Sequence, residues 1–154
     1  MIHEIRPATI EDTIYLAEHL QTDDLNEILG WGHNPLKVLP ESFSQLETPI
    51  SFFIRDKLCG MAGVSRTDAH CGAIWMLTTP YVRPYPKLFF KEAKKWVEQQ
   101  TSYEMLHNIA DPRNRMHMKL LHMLGFKRLS YVSTSTNLTY VEFAKLTKCV
   151  RQLP

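Results

Sequence analysis

The sequence predicts a mixed α/β sandwich, and three observations carry that expectation. Ala73 to Thr78 is a nearly continuous apolar run, as in a central strand covered on both faces. Phe89, Ala93, Trp96 and Val97 recur at i, i+4, i+7 and i+8, the apolar stripe of a helix that faces a sheet. Around these, short strands and capped helices follow one another in the order β α α β β β α β α β β. The 154 residues are 44% hydrophobic and 22% charged, enough for one domain that needs neither disulfide nor metal to hold its core. No internal repeat or linker-like stretch divides it, so residues 1–154 are read as one unit.

Ile2 to Arg6 alternates and reads as a strand ended by Pro7. Thr9, followed by Glu11 and Asp12, starts a helix whose expected inner face is Ile10, Ile14 and Ala17. Asp23 to Leu29 forms a second short helix, broken by Gly30-Trp31-Gly32-His33-Asn34-Pro35, a loop able to bind a ligand or simply to turn the chain. Ser51 to Ile54 and Leu58 to Val64 flank Asp56-Lys57 as a hairpin, and Gly60 and Gly63 signal a bulge or a close backbone approach. After the central strand, Pro80, Pro84 and Pro86 punctuate a loop, with Pro86 placed to open a helix that runs to about Gln100. Met105 to Ile109 is a strand. Asp111 as N-cap and Pro112 at the first helical position open the last helix, with Met116, Leu120, Met123 and Leu124 inward and Gly125 as its left-handed cap. Strands near Arg128 to Ser133 and Leu138 to Phe143 close the chain. Trp75, Leu77, Phe89, Ala93, Trp96, Leu120 and Phe126 are the expected seam between sheet and helices.

Composition excludes several functions. With 18 Lys+Arg against 16 Asp+Glu the formal charge is 18 − 16 = +2, too little to make electrostatic nucleic-acid binding the default. Lys87, Lys91, Lys94 and Lys95 share a helix face that permits phosphate contact, but a solvated face explains them more simply at this net charge, and no nucleic-acid partner is expected. No apolar run approaches the ~20 residues that span a bilayer, and Met1 to Arg6 lacks the features of a signal or transit peptide. Cys59, Cys71 and Cys149 show no CxxC spacing and read as reduced, buried thiols in an intracellular setting. The His residues show no metal-ligand spacing, so no metal is expected. For proton transfer the candidates are Asp23, Asp24, Glu27 and His33 near the first helices and His107 or Asn108 on the later strand; Glu27, His33 and Asn108 stand first among them, and the sequence assigns no catalytic residue.

Ile5-Arg6-Pro7-Ala8-Thr9-Ile10-Glu11-Asp12 is similar to the "IRPAT.ED" opening of the GCN5-related N-acetyltransferase (GNAT) superfamily. Asp56 to Gly60 resembles its "dg.ivG" hairpin, and Asn114 to Phe126 matches its "N..A...YekLGF" segment in register. The resemblance implies the GNAT fold, a mostly antiparallel central sheet flanked by helices, and acetyl-CoA as cofactor. It further implies that the splay between the central strand and the strand near 105–108 holds the acyl-pantetheine, with Leu77, Thr78 and Thr79 as backbone partners and Asn114 at the rim. Arg83 and Lys87 would meet the coenzyme phosphates.

Two departures stand out. The family's glycine-rich pyrophosphate loop is here Arg83-Pro84-Tyr85-Pro86-Lys87-Leu88, in which two prolines lack N–H donors and Leu88 adds bulk. The tyrosine that protonates the leaving thiolate in many members is Leu121. A narrower resemblance, through Trp75-Met76-Leu77-Thr78-Thr79, Asn108-Ile109-Ala110-Asp111 and Asn114, is to acetyltransferase-like internal virion and assembly proteins of short-tailed bacteriophages. It implies a phage protein of the infected bacterial cytoplasm or virion, with virion or assembly partners and an altered coenzyme site. The alternative is a working acetyl-CoA-dependent N-acetyltransferase acting on a small-molecule or protein amine.

Overall fold

A computed structural model describes residues 2–147. Its seven strands are β1 (His3–Pro7), β2 (Leu46–Ile54), β3 (Lys57–Arg66), β4 (Cys71–Thr78), β5 (Met105–Ala110), β6 (Lys127–Ser133) and β7 (Thr139–Leu146). They form one sheet in the order β1-β2-β3-β4-β5-β7-β6. Every neighbouring pair is antiparallel except β4 and β5. The helices are α1 (Ile10–Glu18), α2 (Thr22–Gly30), α3 (Pro35–Ser42), α4 (Pro86–Glu98) and α5 (Arg115–Met123). The mixed α/β class therefore holds.

Local signals account for most boundaries. Thr9 and Asp12 form a reciprocal capping box at α1. The Gly30 to Pro35 segment is a helix junction rather than an open loop: Asn34 caps α3 by accepting the Leu36 N–H at 3.1 Å, and Pro35 takes its first position. α3 is an element that periodicity did not disclose. Arg55 and Asp56 carry φ of 50° and 64°, so they form the two-residue turn between β2 and β3, one position earlier than Asp56-Lys57. Gly125 has φ of 92° and ends α5 as expected. That helix starts later than expected, because Asn114 is its cap while Asp111 instead accepts the Arg113 N–H in a preceding turn.

Burial corrects three faces. In α1 the buried residues are Thr13, Leu16 and Ala17, the side the helix turns to α3 and β3, whereas Ile10 and Ile14 are exposed. In α5 Leu121 and Leu124 enter the core while Met116 and Met123 stand exposed. The single expected seam divides into three clusters. Ala93, Trp96 and Phe126 join Val64, Leu106 and Phe143 beneath α4 and α5, with Leu120 half-buried against them. Trp75 and Leu77 point to the opposite face, against Leu16, Leu39 and Met61. Phe89 packs with Phe52, Cys59 and Val82. A strand's side chains alternate between faces, so Trp75 and Leu77 could not share a layer with residues under α4. Cys59 is buried, Cys71 is only half-buried, and Cys149 lies outside the described residues.

Gly60 marks a register shift opposite Phe52 and Phe53, and a Cβ there would stand 2.8 Å from the Leu77 carbonyl oxygen. Gly63 has softer surroundings, with only the Leu46 side chain within 3.4 Å of the corresponding Cβ. Gly60→Ala is expected to lower stability by about 1–3 kcal/mol and Gly63→Ala by less. Urea unfolding of both variants checks the order, and equal losses would refute the close-approach argument.

Candidate functional site

β4 and β5 pair only at their starts, Cys71–Ala73 with Met105–His107. β5 then follows β7 through Ala110, and β4 stays with β3 through Thr78, so a wedge opens between them. The Thr79 N–H donates to the Cys59 carbonyl at 2.9 Å. Antiparallel pairing alternates, so Thr78 and Met76 direct their N–H and C=O groups into the wedge.

Helix α2 seals the far end of that edge. The Thr78 N–H and hydroxyl both donate to Asp24 Oδ2, at 3.0 and 2.9 Å, and its carbonyl accepts the Gln21 N–H at 3.0 Å. Asn114, buried at the start of α5, donates from Nδ2 to Asp24 Oδ1 at 3.1 Å and to Glu27 Oε2 at 3.2 Å. Glu27 Oε1 accepts the Asp111 N–H at 2.7 Å, and its carboxylate holds His117 Nδ1 at 2.9 and 3.0 Å. The Tyr140 hydroxyl donates to the Glu27 carbonyl at 2.5 Å. Two carboxylates, an amide and an imidazole thus form one buried cluster at the wedge.

Burial raises the Asp24 carboxyl pKa above its ordinary value, against the opposing pull of His117 and the Thr78 hydrogen bonds. For His117 burial works against the charged ring, but the hydrogen bond and charge of Glu27, with the charge of Asp24, outweigh it and raise the pKa. Burial, with Asp111 and Glu27 nearby, raises Tyr140 to about 12.

Two cavities meet at this cluster from opposite faces of the sheet. One, of about 400 Å³, lies between α4 and α5 and is lined by Thr78, Arg83, Lys87, Phe90, Asn114, Met116, Lys119, Leu120 and Met123. The other, of about 380 Å³, is lined by Glu27, Trp31, His33, Leu39, Trp75, Leu77, Asn108 and Tyr140. Met76 and His117 line both. The exposed methionines of α5 therefore face a cavity, which is why they did not belong to the core.

The sequence candidates distribute accordingly. Glu27, His33 and Asn108 all line the second cavity, and Glu27 alone joins the cluster. Arg83 and Lys87 line the first, with Arg83 Nε donating to Gln21 Oε1 at 3.1 Å. Leu77 faces the second cavity rather than the first. Thr78 reaches the first, but its donors are engaged by Asp24. Thr79 is fully buried, with its N–H on Cys59 and its hydroxyl on the Leu58 carbonyl at 2.7 Å, so the free strand edge is at Met76 instead. Asn114 lines the first cavity and is also the central polar link of the cluster. Asp23 stands at the first cavity, whereas His107 bonds Thr67 at 3.0 Å outside both. His117 was missed, although it occupies the alanine position of the "N..A" signature, three residues after Asn114. Among the described residues no group of three or more His, Cys, Asp or Glu is placed to hold a metal ion.

At the start of α4, Pro86 is the first residue and Tyr85 gives no side-chain cap. The Arg83 and Tyr85 N–H groups are used within the loop, which leaves Lys87 and Leu88 directing N–H groups out of the helix end. The Leu88 side chain packs beside Val82 and Phe52, so its bulk is turned into the protein.

No family model matches the sequence, and no curated protein sequence resembles it at a significant level. Solved structures do. Aminoglycoside acetyltransferase AAC(6')-Ib in complex with coenzyme A and kanamycin superposes with a TM-score of 0.67 at 18% identity, over 98% of each chain. A GNAT superfamily phosphinothricin acetyltransferase from Sinorhizobium meliloti in complex with AcCoA gives 0.73 at 12% identity, over 100% of this chain and 94% of that one. A GNAT-family acetyltransferase from Bacillus anthracis gives 0.67 at 13%, over 94% of each. The fold is that of the GNAT acetyltransferases. In this chain the splayed strand pair of that fold is accompanied by a cluster of carboxylates and an imidazole at its opening.

The cluster links pH to stability. His117 has a folded pKa above the ordinary ~6.5 of imidazole, so the stability it contributes is complete below that pH and is lost as pH rises through the folded value. Asp24, also raised, makes stability fall as pH climbs from its ordinary acidic range. Urea midpoints measured from pH 6 to pH 9 are expected to decline for the native chain and to flatten for His117→Gln. Parallel curves would refute the linkage.

Proposed function

We propose that this protein is an acetyl-CoA-dependent N-acetyltransferase acting on a small-molecule amine. The observation that carries the reading is the pair of cavities joined at Met76 and His117. One admits a donor and the other an acceptor, and they meet at a group able to move a proton.

The first cavity suits coenzyme A on its own residues. Arg83, Lys87 and Lys119 supply cations, Lys87 and Leu88 supply two helix-end N–H groups, and the open Met76 edge offers peptide partners for an extended pantetheine. When bound, acetyl-CoA supplies the activated thioester.

Glu27 holds the Nδ1–H of His117, which leaves the lone pair of the neutral ring on Nε2. This nitrogen takes the surplus proton of the substrate ammonium. The freed amine attacks the thioester carbonyl carbon, an N–C bond forms and the C–S bond breaks; the proton on His117 passes to the departing thiolate, and the nitrogen sheds its second proton to solvent as the amide forms. Leu121, buried and apolar, cannot fill that last role.

A virion or assembly role, with phage partners in an infected bacterial cytoplasm, rests on the resemblance at Trp75 to Thr79, Asn108 to Asp111 and Asn114, with Pro84, Pro86 and Leu121 as departures that would accompany an altered coenzyme site. The open cationic cleft favours the enzyme, because a degenerate coenzyme site has no reason to keep it.

Isothermal titration with acetyl-CoA is expected to show micromolar binding, and absence of binding at millimolar ligand would overturn the proposal. Lys87→Ala should weaken that binding about tenfold. His117→Ala should lower kcat by about 10²–10⁴. The native kcat/KM should rise with pH through a pKa above ~6.5, a limb absent from the variant.

A further inference from the structure

We infer that the acceptor is a monoamine carried on an apolar, aromatic body, an arylalkylamine, and not a polycationic amine; the inference rests on the acetyltransferase reading above. What points to it is the distribution of charge in the acceptor cavity. Its lining holds one carboxylate, that of Glu27, and no lysine or arginine. Glu27 is bonded to His117, the residue shared with the donor cavity, so the single acid stands where the reacting nitrogen must arrive.

The walls leading to that point are mainly apolar, with the polar side chains of His33, Ser42, Gln45, Ser65 and Asn108 set among them and no carboxylate besides Glu27. Trp31, Leu39, Leu46 and Trp75 line them, and the Trp31 ring lies 5.6 Å from that of Tyr140. Indole and aliphatic surface of this kind binds a ring by burial and ring contact. The volume of about 380 Å³ is at the small end of ligand sites, which span about 300–1,000 Å³.

Charge decides between amine classes. One ammonium entering this cavity meets Glu27 and His117, and desolvation eases the loss of its proton, which attack requires. A second or third ammonium would lie against the same walls without a carboxylate, and an unpaired buried cation is strongly disfavoured. Selection against diamines, polyamines and aminoglycosides is therefore built into the lining. The α2 end that carries Trp31 is held in place, since the Ser135 hydroxyl donates to the Trp31 carbonyl at 3.2 Å and Thr136 bonds the Gly30 carbonyl.

The test uses the full chain saturated with acetyl-CoA and follows thiol release with 2-phenylethylamine, tryptamine, putrescine, spermidine and kanamycin. The arylalkylamines are expected to exceed the others in kcat/KM by about 10²-fold. Equal or faster turnover of putrescine, spermidine or kanamycin would overturn the inference while leaving the acetyltransferase reading intact. If acetyl-CoA binds but no amine turns over, tryptophan fluorescence with coenzyme A present decides: saturable quenching by 2-phenylethylamine supports the inference, and its absence at millimolar amine overturns it. Failure of acetyl-CoA to bind overturns both readings. Gln45 is an exposed residue of the same lining. Gln45→Glu adds a second carboxylate and should shift the ratio about tenfold toward putrescine without changing acetyl-CoA affinity, and an unchanged ratio counts against the inference.

Discussion

A strand that parts from its neighbour exposes backbone N–H and C=O groups inside the protein, and each one left unsatisfied costs about 1–3 kcal/mol. Here the end of β4 is in that position, and Asp24 is what makes it tolerable. Its carboxylate accepts both donors of Thr78, while Gln21 of the same helix segment serves the Thr78 carbonyl. Helix α2 is thereby fixed across the mouth of the wedge. Asn114 completes the arrangement by joining Asp24 to Glu27 and capping α5 at the same time. Without this substitute for a neighbouring strand, β4 would gain by closing on β5, and the two cavities would have no common opening.

The same arrangement concentrates charge. Two carboxylates in a half-dry site are tolerable only with cationic or donor partners, and His117 with Asn114 provides them. Asp24 is committed on both oxygens to Thr78 and Asn114, so it is a structural acid. Glu27 spends its carboxylate on fixing an imidazole whose other nitrogen is not part of the hydrogen-bonding scheme. The division of labour follows from position along α2: Asp24 reaches the strand end, and Glu27, one turn later, reaches α5.

Local chemistry was legible in the sequence and long-range pairing was not. The helix start at Thr9 with Asp12 in its first turn, the Gly125 cap, and the Ala93, Trp96 and Val97 face of α4 depend on neighbours within a turn or two, and they stand as read. The contacts that make the site join residues 54 and 90 positions apart, Asp24 with Thr78 and Glu27 with His117. Periodicity states which residues share a face, but not whether that face meets the core or a cavity. Met116, Leu120 and Met123 do share one, and the cavity beneath α4 and α5 is what it meets. Thr78 and Thr79 were read as free donors because nothing in a sequence shows which acceptors the fold will bring to them.

The modest formal charge of +2 conceals an asymmetry across the sheet. On the α4 and α5 side, Arg83, Lys87 and Lys119 line a cavity together with Phe89, Phe90, Leu120 and the methionines of α5, an arrangement suited to a long ligand with an anionic end. On the α2 and α3 side, Glu27 is the one carboxylate of a mainly apolar lining, which suits a short ligand with a cationic end. Charges of opposite sign are thus drawn toward the sheet from opposite faces, the anion by Arg83, Lys87 and Lys119 and the cation by Glu27. Pro86 fits this scheme: it removes one N–H from the α4 terminus but fixes the turn that brings Arg83 and Lys87 to the same rim. The loss of a backbone donor and the gain of placed cations are two sides of one local choice. Binding at that rim relies on side-chain charge, which salt screens more readily than a dipole buried in a glycine-rich loop.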